Sequence, residues 1–417
     1  MTAALRRSVT SLSIPNYRRY FTGQLVSVSG NWMQMVAEVW LILVLTGSGV
    51  AVGLTTALQF LPILLFGAWG GVLADRIAKR RLLAYTQAAM ALPAIFLLVV
   101  SASGAVEPWM VYAAVFARGS VNSIDNPARQ SFVIEIVGAE RVVNAVSLNS
   151  VLVHASRIIG PAIAGVLIAL WGVEPCFALN ALSFGAMLIA LRRMDPAALR
   201  AAPIASREPG AVRAALRYVR RSPELAIPLG MMAVVGTLAF NFQTVLPLLA
   251  RFSFGGGAST YAAMLAAMGV GSVAGALAIG AHGRVGPRLL AGTAMTLGAL
   301  AMLAAAAPTL PLEIAVLAPL GATTVVFAAS VNSALQLAVS PQMRGRVMAL
   351  YSIVFLGSTP LGGPLSGWLS QAVSPRAGLV LAGVAALVAG LAARVAFARS
   401  EVATGAYRLP DVPVLAD

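Results

Sequence analysis

The chain has 417 residues, 59% of them hydrophobic and only 10% charged, with a mean hydropathy of +0.86. That leaves too little polar surface for a water-soluble fold, so lipid is the solvent for most of the chain, and the length suits two domains of about 200 residues. The net charge of +15 comes from 28 arginines and Lys79 gathered in short patches between apolar runs, a pattern that argues against a nucleic-acid surface and matches the positive-inside rule.

Six apolar runs long enough to cross about 30 Å of hydrocarbon lie near 20–45, 50–73, 82–103, 109–133, 143–170 and 174–191. Six more follow a polar stretch, near 225–250, 260–281, 288–307, 312–338, 347–371 and 377–398. Arg6, Arg7, Arg18 and Arg19 precede the first run, and Arg76, Lys79, Arg80 and Arg81 separate the second from the third. Arg192 to Arg221 fill the central loop, Arg284 and Arg288 mark one later alternate connection, and Arg344 and Arg346 mark the next. The other connections are nearly free of arginine, Arg251 and Arg376 excepted. Both termini are therefore expected on the cytoplasmic side of a multi-pass protein of the inner cell membrane. No cleavable leader is expected, because the first run is too long and leads straight into another.

This organisation divides the chain into a six-helix bundle over 1–192, a cytoplasmic linker over 193–224, a second six-helix bundle over 225–398 and a cytoplasmic tail over 399–417. In the linker Val212, Ala215, Leu216 and Val219 recur at helical spacing, with Arg213, Arg217, Arg220 and Arg221 largely on other faces. The spacing predicts a short amphipathic helix on the anionic inner leaflet.

The halves also repeat. Residues 141–165 align with 344–367, placing Gly160-Pro161 against Gly363-Pro364 at an offset of 203. Less closely, 71–83 aligns with 278–290, where His282 stands in the place of Asp75. Internal duplication around a midplane cavity is how many secondary transporters are built.

An ionisable side chain inside a membrane helix is costly, so each is a functional candidate. The first half offers Glu38, Arg118, Asp125, His154 and Arg157. The second half offers no comparable group in its spans, only Asn241, Gln243, Asn332, Gln336 and hydroxyls, so a proton carrier is expected in the first half. Trp32, Gln34, Trp40 and Gln59, with Arg157, are candidates to line a wide, partly aromatic cavity, although an interface belt explains Trp40 equally well. His154 reads as a packing residue, the commoner role of a lone histidine on an apolar helix.

The run from Gly71 through Leu73, Ala74, Asp75 and Arg76 to Lys79-Arg80 resembles the loop motif of the major facilitator superfamily, with Ala78 replacing its second glycine. The resemblance covers nearly the whole chain. It implies an all-α membrane protein of the major facilitator fold, with twelve transmembrane helices in two pseudo-symmetric six-helix bundles, working as a monomer. It also implies a cytoplasmic gate built from Gly71, Asp75, Arg76, Arg80, Asp125 and Arg129, in which Asp75 caps a neighbouring helix. A carboxylate is stabilised there by the helix dipole and free N–H groups.

The runs NWMQ, DNPARQSF, RIIGPAIAG and FALNALSF resemble the branch containing the enterobactin exporter and macrolide-efflux pumps. Gly160, Pro161 and Gly165 also resemble the fifth-helix motif of drug–proton antiporters, although small residues at a bend equally serve close helix packing. In this fold the first and fourth helices neighbour each other. At 1.5 Å per residue, Glu38 and Arg118 both lie about 10–14 Å below the outer surface, so a pair broken by protonation of Glu38 is expected. A static ion pair joining the two helices is the competing expectation.

Together these features point to secondary active export of a bulky amphipathic small molecule, drug-like or siderophore, by proton antiport and alternating access. An importer or facilitator of a small metabolite is the alternative. The expected partners are the small-molecule substrate, protons and membrane lipid, with no nucleic acid. A primary pump is disfavoured, since no phosphate-binding loop is present. A membrane transferase is disfavoured because His154 and His282, the two histidines, stand in different halves without an acidic cluster. With Cys176 the single cysteine, neither a disulfide nor a metal or other cofactor is expected.

Overall fold

The computed structural model describes residues 10–200, 211–282, 285–340 and 342–404; the side chains of 68, 71, 72, 74, 75, 139, 143, 211–214, 282 and 400–404 lie outside the description. The described residues form helices α1 Pro15–Thr46, α2 Gly49–Arg76, α3 Lys79–Ala102, α4 Pro108–Val137, α5 Val142–Trp171 and α6 Glu174–Arg192. There follow α7 Ala211–Arg220, α8 Pro223–Leu238, α9 Phe242–Leu248, α10 Ala258–His282 and α11 Pro287–Ala306. The chain continues through α12 Leu310–Ala338, α13 Arg344–Gly357, α14 Thr359–Ala372 and α15 Ala377–Thr404.

Among the described residues, eleven segments are long and apolar enough to cross a membrane; two of them, Pro223–Ser253 and Arg344–Ala372, each contain a break. A twelfth helix, α4, has the length at 30 residues. It misses on composition because it carries Arg118, Asp125 and Arg129, whose charges are matched inside the protein.

The chain separates into two compact units. Unit 1 comprises 1–47, 58–206 and 257–266; unit 2 comprises 48–57, 207–256 and 267–417. In unit 1, α1 packs on α5 and α6, while α3 packs on α4 and α6. One apolar cluster there joins Tyr17, Tyr20, Leu82, Leu83, Phe132, Ile136, Met187 and Leu191. In unit 2, α11 packs on α15 and α12 at short range: a side chain at Gly298 would meet the Gly383 carbonyl at 2.7 Å. Small residues allow this approach, as is usual between membrane helices.

The burial pattern is inverted relative to a water-soluble protein. Trp69, Leu92, Leu277 and Leu361 are exposed, whereas Gln34, Glu38, Gln87, Asp125 and Asn180 are at most 1% exposed. Lipid accepts the former, and the latter need protein partners because lipid offers no hydrogen bonds.

The linker helix forms, but its apolar face is covered by protein. Ala215 and Val219 are buried where α7 packs on α13 and α8, and Leu216, Arg217 and Arg220 remain exposed. The expected face toward lipid thus reduces to Leu216 and the arginines. The tail beyond 404 lies outside the described residues.

Candidate functional site

Three of the sequence candidates meet in one buried chain of polar groups. The Arg118 guanidinium on α4 grips the Glu38 carboxylate on α1 with two hydrogen bonds, Nη2 to Oε2 at 2.5 Å and Nε to Oε1 at 3.2 Å. One turn earlier on α1, Gln34 Nε2 donates to Glu38 Oε1 at 2.7 Å. Asn180 Nδ2 on α6 donates to Gln34 Oε1 at 2.5 Å, and Ser183 Oγ donates to Asn180 Oδ1 at 2.9 Å. Glu38 is 1% exposed and Arg118 6%.

Ionising both members of such a pair in a dry site costs several kcal/mol per ion, recovered only through excellent geometry and further hydrogen bonds. The forked contact and the Gln34 donor supply both. Gly30 makes room for the chain, since a Cβ there would collide with Asn180 Oδ1 and Ser183 Oγ. Asn180, Ser183 and Gly30 were not among the sequence candidates. The signal available for Asn180 was a carboxamide within an apolar span.

A second network surrounds Asp125. Its Oδ1 accepts from Thr86 Oγ1 at 2.6 Å and Gln87 Nε2 at 2.9 Å, and Oδ2 accepts from Arg129 Nε one turn along α4. Ser27 Oγ on α1 donates to Gln87 Oε1 at 3.1 Å. Asp125 thus ties α1, α3 and α4 together. It was expected to join the gate motif with Asp75 and Arg76. Asp125 is buried about three turns before α4 ends at Val137, and the side chain of Asp75 lies outside the described residues.

In that loop Arg76 is exposed, Arg80 Nη1 donates to the Met194 carbonyl at 3.0 Å, and Lys79 pairs with Glu135 at 2.9 Å. The side chains of Gly71 and Asp75 lie outside the described residues.

The fifth-helix motif is a packing surface. A Cβ at Gly160 would meet the Ser29 carbonyl and Trp32 Cβ, both at 2.6 Å, and one at Gly165 would meet Ala262 Cβ at 2.5 Å. Pro161 and Ala164 are buried beside them.

The expected cavity residues divide. Gln34 is 0% exposed, committed to Glu38 and Asn180, and lines no open space; Trp40 is also buried. Asn241 is buried too, its Nδ2 donating to the Thr237 carbonyl at 2.7 Å. Trp32, Gln59, Gln243 and Asn332 are partly buried and Gln336 is exposed. Gln59 Nε2 lies 3.1 Å from Met35 Sδ, and Gln336 Nε2 donates to Asn332 Oδ1 at 2.5 Å. Arg157 is partly buried, its guanidinium 5.1 Å from the Trp32 ring centroid. The rings of Phe240, Phe327, Phe355 and Tyr351 form an unpredicted aromatic cluster in unit 2, with Tyr351 stacked on Phe355 at 5.8 Å.

Unit 2 does hold an ionisable group inside a span, contrary to expectation. Glu313, one turn into α12, is 1% exposed, and neither carboxylate oxygen has a hydrogen-bond partner among the described residues. Arg376, which donates to the Ala305 carbonyl at 3.0 Å, is the charge acting on it. Glu313 lies at the edge of the run read near 312–338, beside Pro311, where the span and its connection meet.

A family model described as "Transmembrane secretion effector" matches residues 7–408. The staphyloferrin A transporter of Staphylococcus aureus is 29% identical over 168 residues, spanning 40% of this chain and 42% of that protein. Macrolide efflux protein A of Streptococcus pyogenes is 23% identical over 87% of this chain and 91% of that protein. The enterobactin exporter of Citrobacter koseri is 25% identical over 90% of each. Among solved structures, a nucleoside transporter superposes with a TM-score of 0.74 at 13% identity, covering 91% of this chain and 99% of that one. That likeness carries the fold.

Proposed function

The chain belongs to the transmembrane secretion effector family of major facilitator transporters, and we propose that it exports a bulky amphipathic small molecule by proton antiport. It is a transporter rather than an enzyme, and a multi-pass membrane protein. The direction is supported by relatives whose names describe efflux of macrolides and export of enterobactin. The arginine distribution supports an inner-membrane location with both termini cytoplasmic, and the substrate and protons are its partners, the chain acting as a monomer.

The observation that carries the coupling is the buried Glu38–Arg118 pair. The guanidinium and Gln34 are the partners its carboxylate has. A proton delivered to Glu38 removes the charge that binds α1 to α4 and leaves Arg118 seeking another anion. The pair therefore has two arrangements whose balance a proton shifts, which is what alternating access requires. Asp125 is the second candidate for the carrier, its carboxylate held by Thr86 and Gln87 of α3 and by Arg129 of its own helix.

Export is tested in cells expressing the protein, loaded in turn with erythromycin, ethidium and a catecholate siderophore. Lower retention of one compound than in cells lacking the protein, abolished by a protonophore, supports the reading. Higher retention of a compound on expression points instead to the importer.

A further inference from the structure

Among the described residues of unit 1, one cation in the middle of a span stands without a counter-charge. Arg118 is paired with Glu38, Arg129 with Asp125 and Lys79 with Glu135, yet Arg157 on α5 has no carboxylate partner among the described residues. Its Nε is buried with no hydrogen bond, and so is Nδ1 of His154, one helical turn away on α5. What Arg157 does have is the Trp32 ring of α1, 5.1 Å from its guanidinium carbon. That contact offsets only part of the cost of taking a guanidinium out of water. Nearby, Ser29 Oγ of α1 donates to Ser156 Oγ of α5 at 3.1 Å. Gly160, one turn further along α5, brings the backbones of α5 and α1 together around Ser29 and Trp32 and so fixes the ring beneath the cation.

We propose that Arg157, backed by Trp32 and flanked by His154, is an anion anchor and that the cargo is an organic anion. The proposal rests on the export reading above and narrows it, since it disfavours cationic dyes and basic macrolides as the preferred cargo. The partial exposure of Arg157 leaves part of the fork open to an incoming carboxylate or phenolate. A guanidinium presents parallel N–H donors that match a carboxylate bidentately, and its plane stacks on an aromatic ring. Trp32 holds that plane in place before the ligand arrives, so little ordering cost falls on binding.

The test is equilibrium binding of salicylate and of its uncharged isostere salicylamide to the full chain in phosphatidylcholine nanodiscs, followed by calorimetry. The zwitterionic lipid keeps anionic headgroups from competing. No gradient is applied, so the result is independent of transport direction and of Glu38, and a failure of coupling leaves it readable.

Wild type is expected to bind the anion roughly tenfold or more tightly than the amide, the ratio that a charge-assisted hydrogen bond supplies. Arg157→Gln should bring the two within about twofold, with the amide affinity retained as the sign of an intact site. Arg157→Lys, which keeps the charge but not the fork, should fall between, and it carries the comparison alone if Arg157→Gln does not fold. An unchanged ratio in the variants, tighter binding of salicylamide or ethidium by wild type, or binding of neither probe would overturn the anchor.

Discussion

Arg118 holds both carboxylate oxygens of Glu38 across the α1–α4 interface, at 2.5 and 3.2 Å, with each residue less than a tenth exposed. Replacing one member strands the other charge in a dry site. Glu38→Leu and Arg118→Leu should each lower stability by about 3–5 kcal/mol, whereas the double Leu variant should lose much less than their sum. Thermal unfolding of the four proteins in one detergent measures this. Additive losses would show that the two side chains act independently.

Gly30 is required by the polar chain rather than by its backbone conformation, because the Cβ of any larger residue meets Asn180 Oδ1 and Ser183 Oγ. Gly30→Ala should cost about 1–3 kcal/mol through this overpacking. Gly185, with nothing within 4 Å of its Cβ position, is the matched control. Gly185→Ala should be neutral or stabilising by up to about 1 kcal/mol. Unfolding midpoints of the two variants decide it.

Thr86 and Gln87 each donate one hydrogen bond to the same Asp125 oxygen. Thr86→Val leaves that buried carboxylate short of a donor and should cost about 1–3 kcal/mol. Gln87→Leu removes a donor to Asp125 and also the acceptor for Ser27, and should cost more than Thr86→Val. Comparing the two midpoints in one detergent checks the order.

Glu313 is buried, and both its oxygens are unpartnered among the described residues. Glu313→Gln keeps the shape and removes the ionisable group, so its unfolding midpoint should match or exceed that of wild type. A fall of several degrees would show that the carboxylate engages Arg376 more strongly than the geometry indicates.

The spans, the central helix and the meeting of Glu38 with Arg118 were all legible in the sequence. Hydrophobic run length fixes where helices cross, and rise per residue fixes depth along each one. What depth does not fix is azimuth. Asn180 and Ser183 face Gln34 because of how α6 rotates against α1, and the nearly uniform hydrophobicity of these helices leaves no stripe to report it. The same blindness put Gln34 on an expected cavity wall when it is fully buried. Glu313 was missed for another reason: it stands at the very edge of the run read near 312–338, and α12 begins earlier, at Leu310, because proline at 311 is tolerated in a first turn. The break at 239–241 carried no glycine or proline signal, whereas Gly357 and Pro360 flank the one at Ser358.

The most direct test of the account is uptake by energised inside-out vesicles of a macrolide, a dye-like cation and a catecholate siderophore, comparing wild type with Glu38→Gln. Glutamine preserves the packing against Arg118 and Gln34 while removing the proton site. The account predicts proton-dependent uptake of at least one compound by wild type and its loss in Glu38→Gln. Uptake by Glu38→Gln that remains proton-dependent at the wild-type rate would contradict the assignment of coupling to the Glu38–Arg118 pair.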